Sequence, residues 1–138
     1  MRKLARECAF KLVYEYIFVG EKNDFTAHEL AVESSLDAAA EEYMNEVYSG
    51  VIDRFDELKS DIEATFRRYG SGRVFKCDMA IMLLALYEMR YMPDIPHKVS
   101  VNEALELSKI YSGDSSAGFI NGVLSNFITG VGNDSKDN

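Results

Sequence analysis

The stretch VFKCDMAIMLLALYEMRY, Val74–Tyr91, decides the fold of this protein. Its centre, Met79–Tyr87, is a run of nine apolar residues. A helix that is apolar on all sides is typical of the centre of a core. Nine apolar residues are too few to cross a bilayer, so we predict a central core helix and no membrane association.

The sequence on either side of this stretch repeats apolar residues with the period of an α-helix. Strand-like alternation is nearly absent, and the two prolines, Pro93 and Pro96, mark one turn directly after the central helix. The sequence therefore predicts an all-α protein of about seven helices. The other six are predicted at about Arg2–Val19, Thr26–Ser35, Ala38–Arg54, Glu57–Arg68, Ser100–Tyr111 and Ala117–Thr129.

Several local signals predict helix ends and close contacts. Thr26-x-x-Glu29 and Ser100-x-x-Glu103 match the capping box that opens a helix. Gly20 is placed to end the first helix. Gly50 lies in the middle of the third helix, where glycine lowers stability, so we expect another helix to approach closely there.

The length of 138 residues suits one domain. Tyr69-Gly70-Ser71-Gly72 is the best candidate for an internal boundary, since glycine and serine favour a break between helices. We predict one helical domain over residues 1–130, divided into subdomains 1–70 and 73–130. The polar segment 131–138 is predicted to be a disordered tail.

The charge of the chain is unevenly distributed. With 23 acidic and 15 basic residues, the net charge is −8, which argues against indiscriminate coating of nucleic acid. The segment Asp37–Glu63 holds nine acidic and two basic residues. Eight of the bases fall in two short segments, which predicts a basic edge and an acidic face; they are Arg2, Lys3, Arg6, Lys11, Arg67, Arg68, Arg73 and Lys76.

Each basic segment has two interpretations. Arg2 and Arg6 are four residues apart on one side of a helix, with Lys3 beside them, and outward arginines bind phosphates. A solvated helix terminus is the alternative, and position alone favours it. Arg73 and Lys76 follow a glycine-rich segment that suits a phosphate site or, equally, a flexible linker with solvated cations.

The sequence contains little that suggests catalysis. His28 and His97 have no Cys, Asp or His at metal-ligand spacing, and the common hydrolase, zinc-protease and dinucleotide motifs are absent. Glu88 interrupts an apolar helix and is interpreted as a buried, paired carboxylate with a structural role. We therefore predict no enzyme activity, no catalytic residue, no metal and no cofactor.

The cysteines and the N-terminus indicate a cytoplasmic protein. Cys8 and Cys77 have no CxxC spacing, so two buried thiols in a reducing compartment are expected. The first residues are charged and periodic, without the apolar core and cleavage site of a signal peptide.

Four segments in the same order and at the same spacing resemble the NusB family of transcription antitermination factors: ARECAFKLVYEY, Ala5–Tyr16; DMAIMLLALYEM, Asp78–Met89; IPHKVSVNEALELSK, Ile95–Lys109; and GFINGVLSNF, Gly118–Phe127. The resemblance implies an all-α fold of two helical bundles and no catalysis. It also implies binding of boxA RNA in ribosomal RNA leader transcripts, together with the small-subunit ribosomal protein NusE. That pair acts within the RNA polymerase antitermination complex and supports ribosomal RNA synthesis.

The resemblance also assigns residues. It implies an arginine-rich RNA-binding motif at Arg2, Lys3 and Arg6, and an FxNG motif that brings Phe119 and Asn121 near the RNA. It implies NusE contacts at Tyr14 and Asp78. Simpler roles remain open for three of these residues. They are core packing for Phe119 and Tyr14, and charge complementation of a helix N-terminus for Asp78.

The chain departs from the family pattern at three positions. Gly118 stands where a base usually precedes the FxNG motif, and Met79 and Leu83 stand where the family often has bases. We therefore expect modest RNA affinity, with NusE supplying the rest. If Met79 and Leu83 are exposed, they would instead mark a homodimer contact. The alternative function is a helical protein-interaction module with weak or no RNA binding.

Overall fold

The structure is a computed structural model that describes residues 1–67 and 74–131, with side chains through Ile128. These residues form seven α-helices and no strand, so the all-α prediction is confirmed. The helices are α1 (Arg2–Val19), α2 (Asp24–Glu33), α3 (Ala38–Asp53), α4 (Phe55–Arg67), α5 (Lys76–Tyr91), α6 (His97–Tyr111) and α7 (Asp114–Val131). The predicted boundary Tyr69–Gly72, the cations Arg68 and Arg73, and residues 132–138 lie outside the described residues.

α5 is the central helix. Every residue from Asp78 to Met89 is buried, and α5 packs against α1, α3, α4, α6 and α7. This confirms the prediction from the apolar run. Among the described residues, no helix has the length and apolar character needed to span a membrane.

Gly50 permits the close packing of α3 on α5. A Cβ atom at Gly50 would lie 2.2 Å from Cε1 of Tyr87, a distance that no real side chain tolerates. Because glycine has no Cβ, the ring of Tyr87 fits directly against the α3 backbone. The predicted close approach at Gly50 is confirmed.

α1 is the second long element of the core. It packs along α3 and α5 and buries Ala5, Ala9, Leu12 and Val13. It ends at Gly20, whose φ of 81° is the left-handed conformation that favours glycine. The N–H of Gly20 donates to the Tyr16 carbonyl at 2.8 Å, so the predicted helix end is confirmed.

Both predicted capping boxes are wrong. α2 begins two residues before Thr26, because the Oδ1 atom of Asn23 accepts a hydrogen bond from the Thr26 N–H at 2.9 Å. α6 begins directly after Pro96, which has no N–H that would need a partner. Ser100 therefore lies inside α6, where its hydroxyl group points into the core.

The expectation that Met79 and Leu83 are exposed is also wrong. Both are buried in α5, with 5% and 0% of their surface exposed. The uninterrupted apolar sequence there serves the core and offers no surface for a homodimer contact.

The two cysteines differ in environment. Both are free, but Cys8 is buried and Cys77 is only half-buried. The prediction of buried thiols is therefore confirmed for Cys8 and wrong for Cys77.

Candidate nucleic-acid interface and partner face

Arg2 and Lys3, in the first turn of α1, are exposed. The Arg2 guanidinium lies over the ring of Tyr43, 4.3 Å from its centroid. The Lys3 ammonium lies 3.0 Å from Oε1 of Glu103 on α6, and 69% of the Lys3 side chain is exposed. Both cations can therefore be reached by a phosphate from solvent.

Arg6 has a different environment from the one expected. Its Nε atom donates to Oε2 of Glu88 at 2.8 Å, and its side chain is only 5% exposed. Burial lowers the pKa of the Arg6 guanidinium, but the hydrogen bond to Glu88, together with the charges of Glu88, Glu103 and other neighbours, raises it overall. The expectation that Arg6 projects outward beside Arg2 is wrong, because this arginine neutralises a buried carboxylate.

Glu88 joins four helices. Besides Arg6 of α1, its carboxylate accepts hydrogen bonds from the hydroxyl groups of Tyr43 on α3 and Ser100 on α6, the latter at 2.7 Å. Burial and the negative charge of Glu88 raise the pKa of Tyr43, which stays protonated and donates. The prediction that Glu88 is buried and paired is confirmed, and its network fixes the start of α1.

Phe119 and Asn121 lie in the first half of α7. Phe119 is half-buried, and its ring meets the ring of Phe66 on α4 edge to face, with centroids 5.8 Å apart. Asn121 is exposed, as are Gly118 and Gly122 on either side of this segment. The Phe119 ring thus packs on the core and still leaves part of its surface to solvent.

Asp78 is buried at the start of α5. Its two carboxylate oxygens accept hydrogen bonds from Ser112 at 2.7 Å and from Ser116 at 3.0 Å. These serines lie at the end of α6 and in the first turn of α7. Asp78 therefore holds the corner between α6 and α7, and it has only 3% of its surface exposed for contact with a partner.

Tyr14 belongs to a row of aromatic rings along α1. Its ring stacks on Phe10 at 5.9 Å and meets Phe18 edge to face at 5.0 Å. Phe18 is 59% exposed, and the Lys76 ammonium lies 5.6 Å from its centroid. Phe75, next to Lys76 in sequence, is 71% exposed. We call Tyr14 and Phe18 the aromatic face, which Lys76 joins to the start of α5, where Phe75 lies.

Sequence reasoning missed Phe18 and Phe75. The available signal was spacing, since Phe18 follows Tyr14 by four residues and so lies on the same side of α1. Large exposed aromatic side chains grouped in this way are typical of a protein–protein contact.

The match to a protein family covers nearly the whole chain. The NusB family model matches residues 3–129. The chain belongs to the NusB family. One relative, the transcription antitermination protein NusB of Acetivibrio thermocellus, is 34% identical over 141 residues, which cover 99% of this chain and 97% of the relative.

Solved structures show the NusB fold. A chain in the crystal structure of a plectonemic RNA supercoil has a TM-score of 0.84 and 23% identity, and the match covers 94% of this chain and 95% of that one. A chain in the crystal structure of the antitermination factors NusB and NusE in complex with double-stranded RNA has a TM-score of 0.79 and 23% identity. That match covers 91% of this chain and 93% of the other.

In this NusB-family chain, the predicted site residues fall at two ends of α1. Arg2 and Lys3 lie at its first turn, whereas Lys76 lies beside Phe18, about 24 Å further along a helix with a rise of 1.5 Å per residue. Phe119 belongs to the second end, because its neighbour Phe66 lines one groove together with Lys76. The expected single basic edge is thus separated into two regions.

Proposed function

We propose that this chain is a transcription antitermination factor that binds boxA-type single-stranded RNA of ribosomal RNA leader transcripts together with NusE. It would act in the cytoplasm as part of the RNA polymerase antitermination complex, without catalysis. The observation that carries the proposal is the NusB family match over residues 3–129. The structural likeness to a chain solved with NusE and RNA supports it at the level of the fold.

The arrangement of cations and rings suits weak RNA binding. Arg2 and Lys3 are accessible to phosphates, and the exposed part of Phe119 suits stacking on a base, with the exposed Asn121 two residues further along α7. Lys76 is exposed beside Phe18, while Arg73, proposed with it, lies outside the described residues. Arg6 is proposed to contribute indirectly, by holding the first turn of α1 through Glu88.

The aromatic face, together with Phe75, is proposed as the docking surface for NusE. Tyr14 contributes part of its ring, and the more exposed Phe18 and Phe75 provide apolar area that a partner would bury. Asp78 is buried, so we propose that it affects this contact indirectly, by fixing the position of α5 relative to the α6–α7 corner.

The RNA proposal is tested by fluorescence anisotropy with a labelled boxA RNA, with and without NusE. Arg2→Ala and Lys3→Ala should each weaken binding and reduce the slope of log affinity against log salt by about 0.7, the value for one lost phosphate on single-stranded RNA. Lys11→Ala is the matched control, because Lys11 is an exposed cation further along α1. If all three variants bind like the parent, the site assignment is wrong.

The partner proposal is tested by calorimetric titration of the chain with NusE. Phe18→Ala should weaken the heterodimer at least tenfold, as expected for an aromatic residue central to an interface. Phe25→Ala is the matched control, because Phe25 on α2 is equally large and 71% exposed. Equal losses in both variants would contradict docking on the aromatic face.

The alternative function is a protein-interaction module with weak or no RNA binding. The inward position of Arg6 favours it, since one cation of the expected motif is occupied by Glu88. A heterodimer with NusE that forms normally but fails to retain RNA in a gel shift would establish this alternative.

A further inference from the structure

Glu103 on α6 forms an ion pair with Lys3 in the first turn of α1. Its carboxylate lies 3.0 and 3.3 Å from the Lys3 ammonium through its two oxygens. The same carboxylate lies 3.6 Å from Nη1 of Arg6. Two cations of the predicted arginine-rich motif therefore already share one internal anion.

Glu103 stands in a groove between α1 and α6, and the other acidic residues of that groove have different partners. Glu106 lies 3.6 Å from Lys109, and Glu7 accepts a hydrogen bond from Tyr111. The groove has a volume of about 220 Å³. Glu103 is thus the groove residue whose negative charge lies against Lys3 and Arg6.

We propose that Glu103 sets the RNA affinity of this chain by occupying Lys3 in place of a phosphate. The proposal rests on the proposed RNA binding and adds a residue that limits it. A carboxylate and a phosphate both present anionic oxygens to an ammonium, so they compete for the same donors. The Lys3 side chain of this pair is exposed, and exposed ion pairs are weak, so a phosphate can displace the Glu103 carboxylate from Lys3.

The test compares Glu103→Gln with Glu106→Gln on the same helix. Both substitutions change the net charge equally, but only the first releases Lys3. Glu103→Gln should bind boxA RNA about two- to fivefold more tightly than Glu106→Gln, which corresponds to removing one exposed ion pair. The slope of log affinity against log salt should stay nearly unchanged, because Lys3 neutralises one phosphate in both bound variants and only the competition from Glu103 is removed.

A Lys3→Ala background makes the test specific. In that background Glu103→Gln and Glu106→Gln should bind RNA equally, because no ammonium remains to be released. If Glu103→Gln binds no more tightly than Glu106→Gln in the presence of Lys3, the proposal is wrong. Should Glu103→Gln not fold, Glu103→Asp is compared with Glu106→Asp at unchanged charge, since the shorter side chain at position 103 withdraws the carboxylate from Lys3.

Elution from a heparin column separates this proposal from RNA recognition. Heparin is a sulfated polyanion, so it reports on free cations without any RNA sequence. If no variant binds RNA, the proposed function is wrong, and the heparin result alone decides the role of Glu103. Later elution of Glu103→Gln than of Glu106→Gln supports the proposal, and equal elution overturns it.

Discussion

Replacement of Arg6 by alanine should destabilise the protein far more than replacement of Lys3, although both belong to the same predicted RNA-binding motif. Arg6 and Glu88 have side chains that are 5% and 0% exposed, and their Nε and Oε2 atoms lie 2.8 Å apart. Removal of one partner leaves an uncompensated buried charge and costs about 3–5 kcal/mol of unfolding free energy. The Lys3–Glu103 pair is exposed on the lysine side, so Lys3→Ala should cost less than about 1 kcal/mol.

This difference is large on the scale of the whole protein. Domains of this size unfold with about 5–15 kcal/mol, so a loss of about 3–5 kcal/mol removes at least a fifth of the stability of the Arg6 variant. Its melting temperature should fall by about 9–15 °C, at roughly 3 °C per kcal/mol.

Urea unfolding followed by far-ultraviolet circular dichroism measures both variants. Equal, small losses for Arg6→Ala and Lys3→Ala would refute the argument from the buried charge. A weakened RNA affinity in Arg6→Ala, measured under conditions where it is still folded, would then be evidence for direct phosphate contact.

Three further predictions concern packing, hydrogen bonds and pH. Gly50→Ala should lower the free energy of unfolding, because the added Cβ would overlap the Tyr87 ring. In a Tyr87→Ala background the same substitution should raise it by up to about 1 kcal/mol, because alanine has the higher helix propensity. Urea midpoints measure both effects. Asp78→Ala should cost about 2–4 kcal/mol, because two serine hydroxyls lose a charged acceptor, and amide exchange should accelerate at the α6–α7 corner. Burial, followed by the hydrogen bond to Glu7, raises the pKa of Tyr111 from 10.0 to about 12. The free energy of unfolding should therefore fall as the pH rises from the unfolded pKa towards the native pKa of Tyr111, because in this range the unfolded chain has released the proton and the native protein has not. In urea titrations at alkaline pH, Tyr111→Phe should lose less stability over this range than the parent does.

The order and type of the helices could be predicted because they depend on local periodicity. The apolar run of α5 and the internal Gly50 each identify their role without knowledge of distant residues. The starts of α2 and α6 were misplaced, because Asn23 and Pro96 compete successfully with the capping boxes. Two possible caps in succession cannot be ranked from spacing alone.

The candidate site was less predictable, because its geometry depends on residues far apart in sequence. Arg6 and Lys3 look equivalent on a helical projection, but Glu88 lies 82 residues from Arg6 and Glu103 lies 100 residues from Lys3. Asp78 looks like a typical residue of a first helical turn until Ser112 and Ser116 close over it. Polar character predicts a surface position only where no buried partner exists.

The buried pair of Arg6 and Glu88 also has a consequence for synthesis on the ribosome. The two residues are separated by 82 positions, so at about 5–20 residues per second Glu88 is made roughly 4–16 s after Arg6. Throughout that interval α1 carries its apolar side and an arginine whose partner does not yet exist. α1, the first helix to be made, therefore cannot reach its native environment until α5 emerges. Until then the apolar side of α1 is exposed, which favours aggregation of the nascent chain.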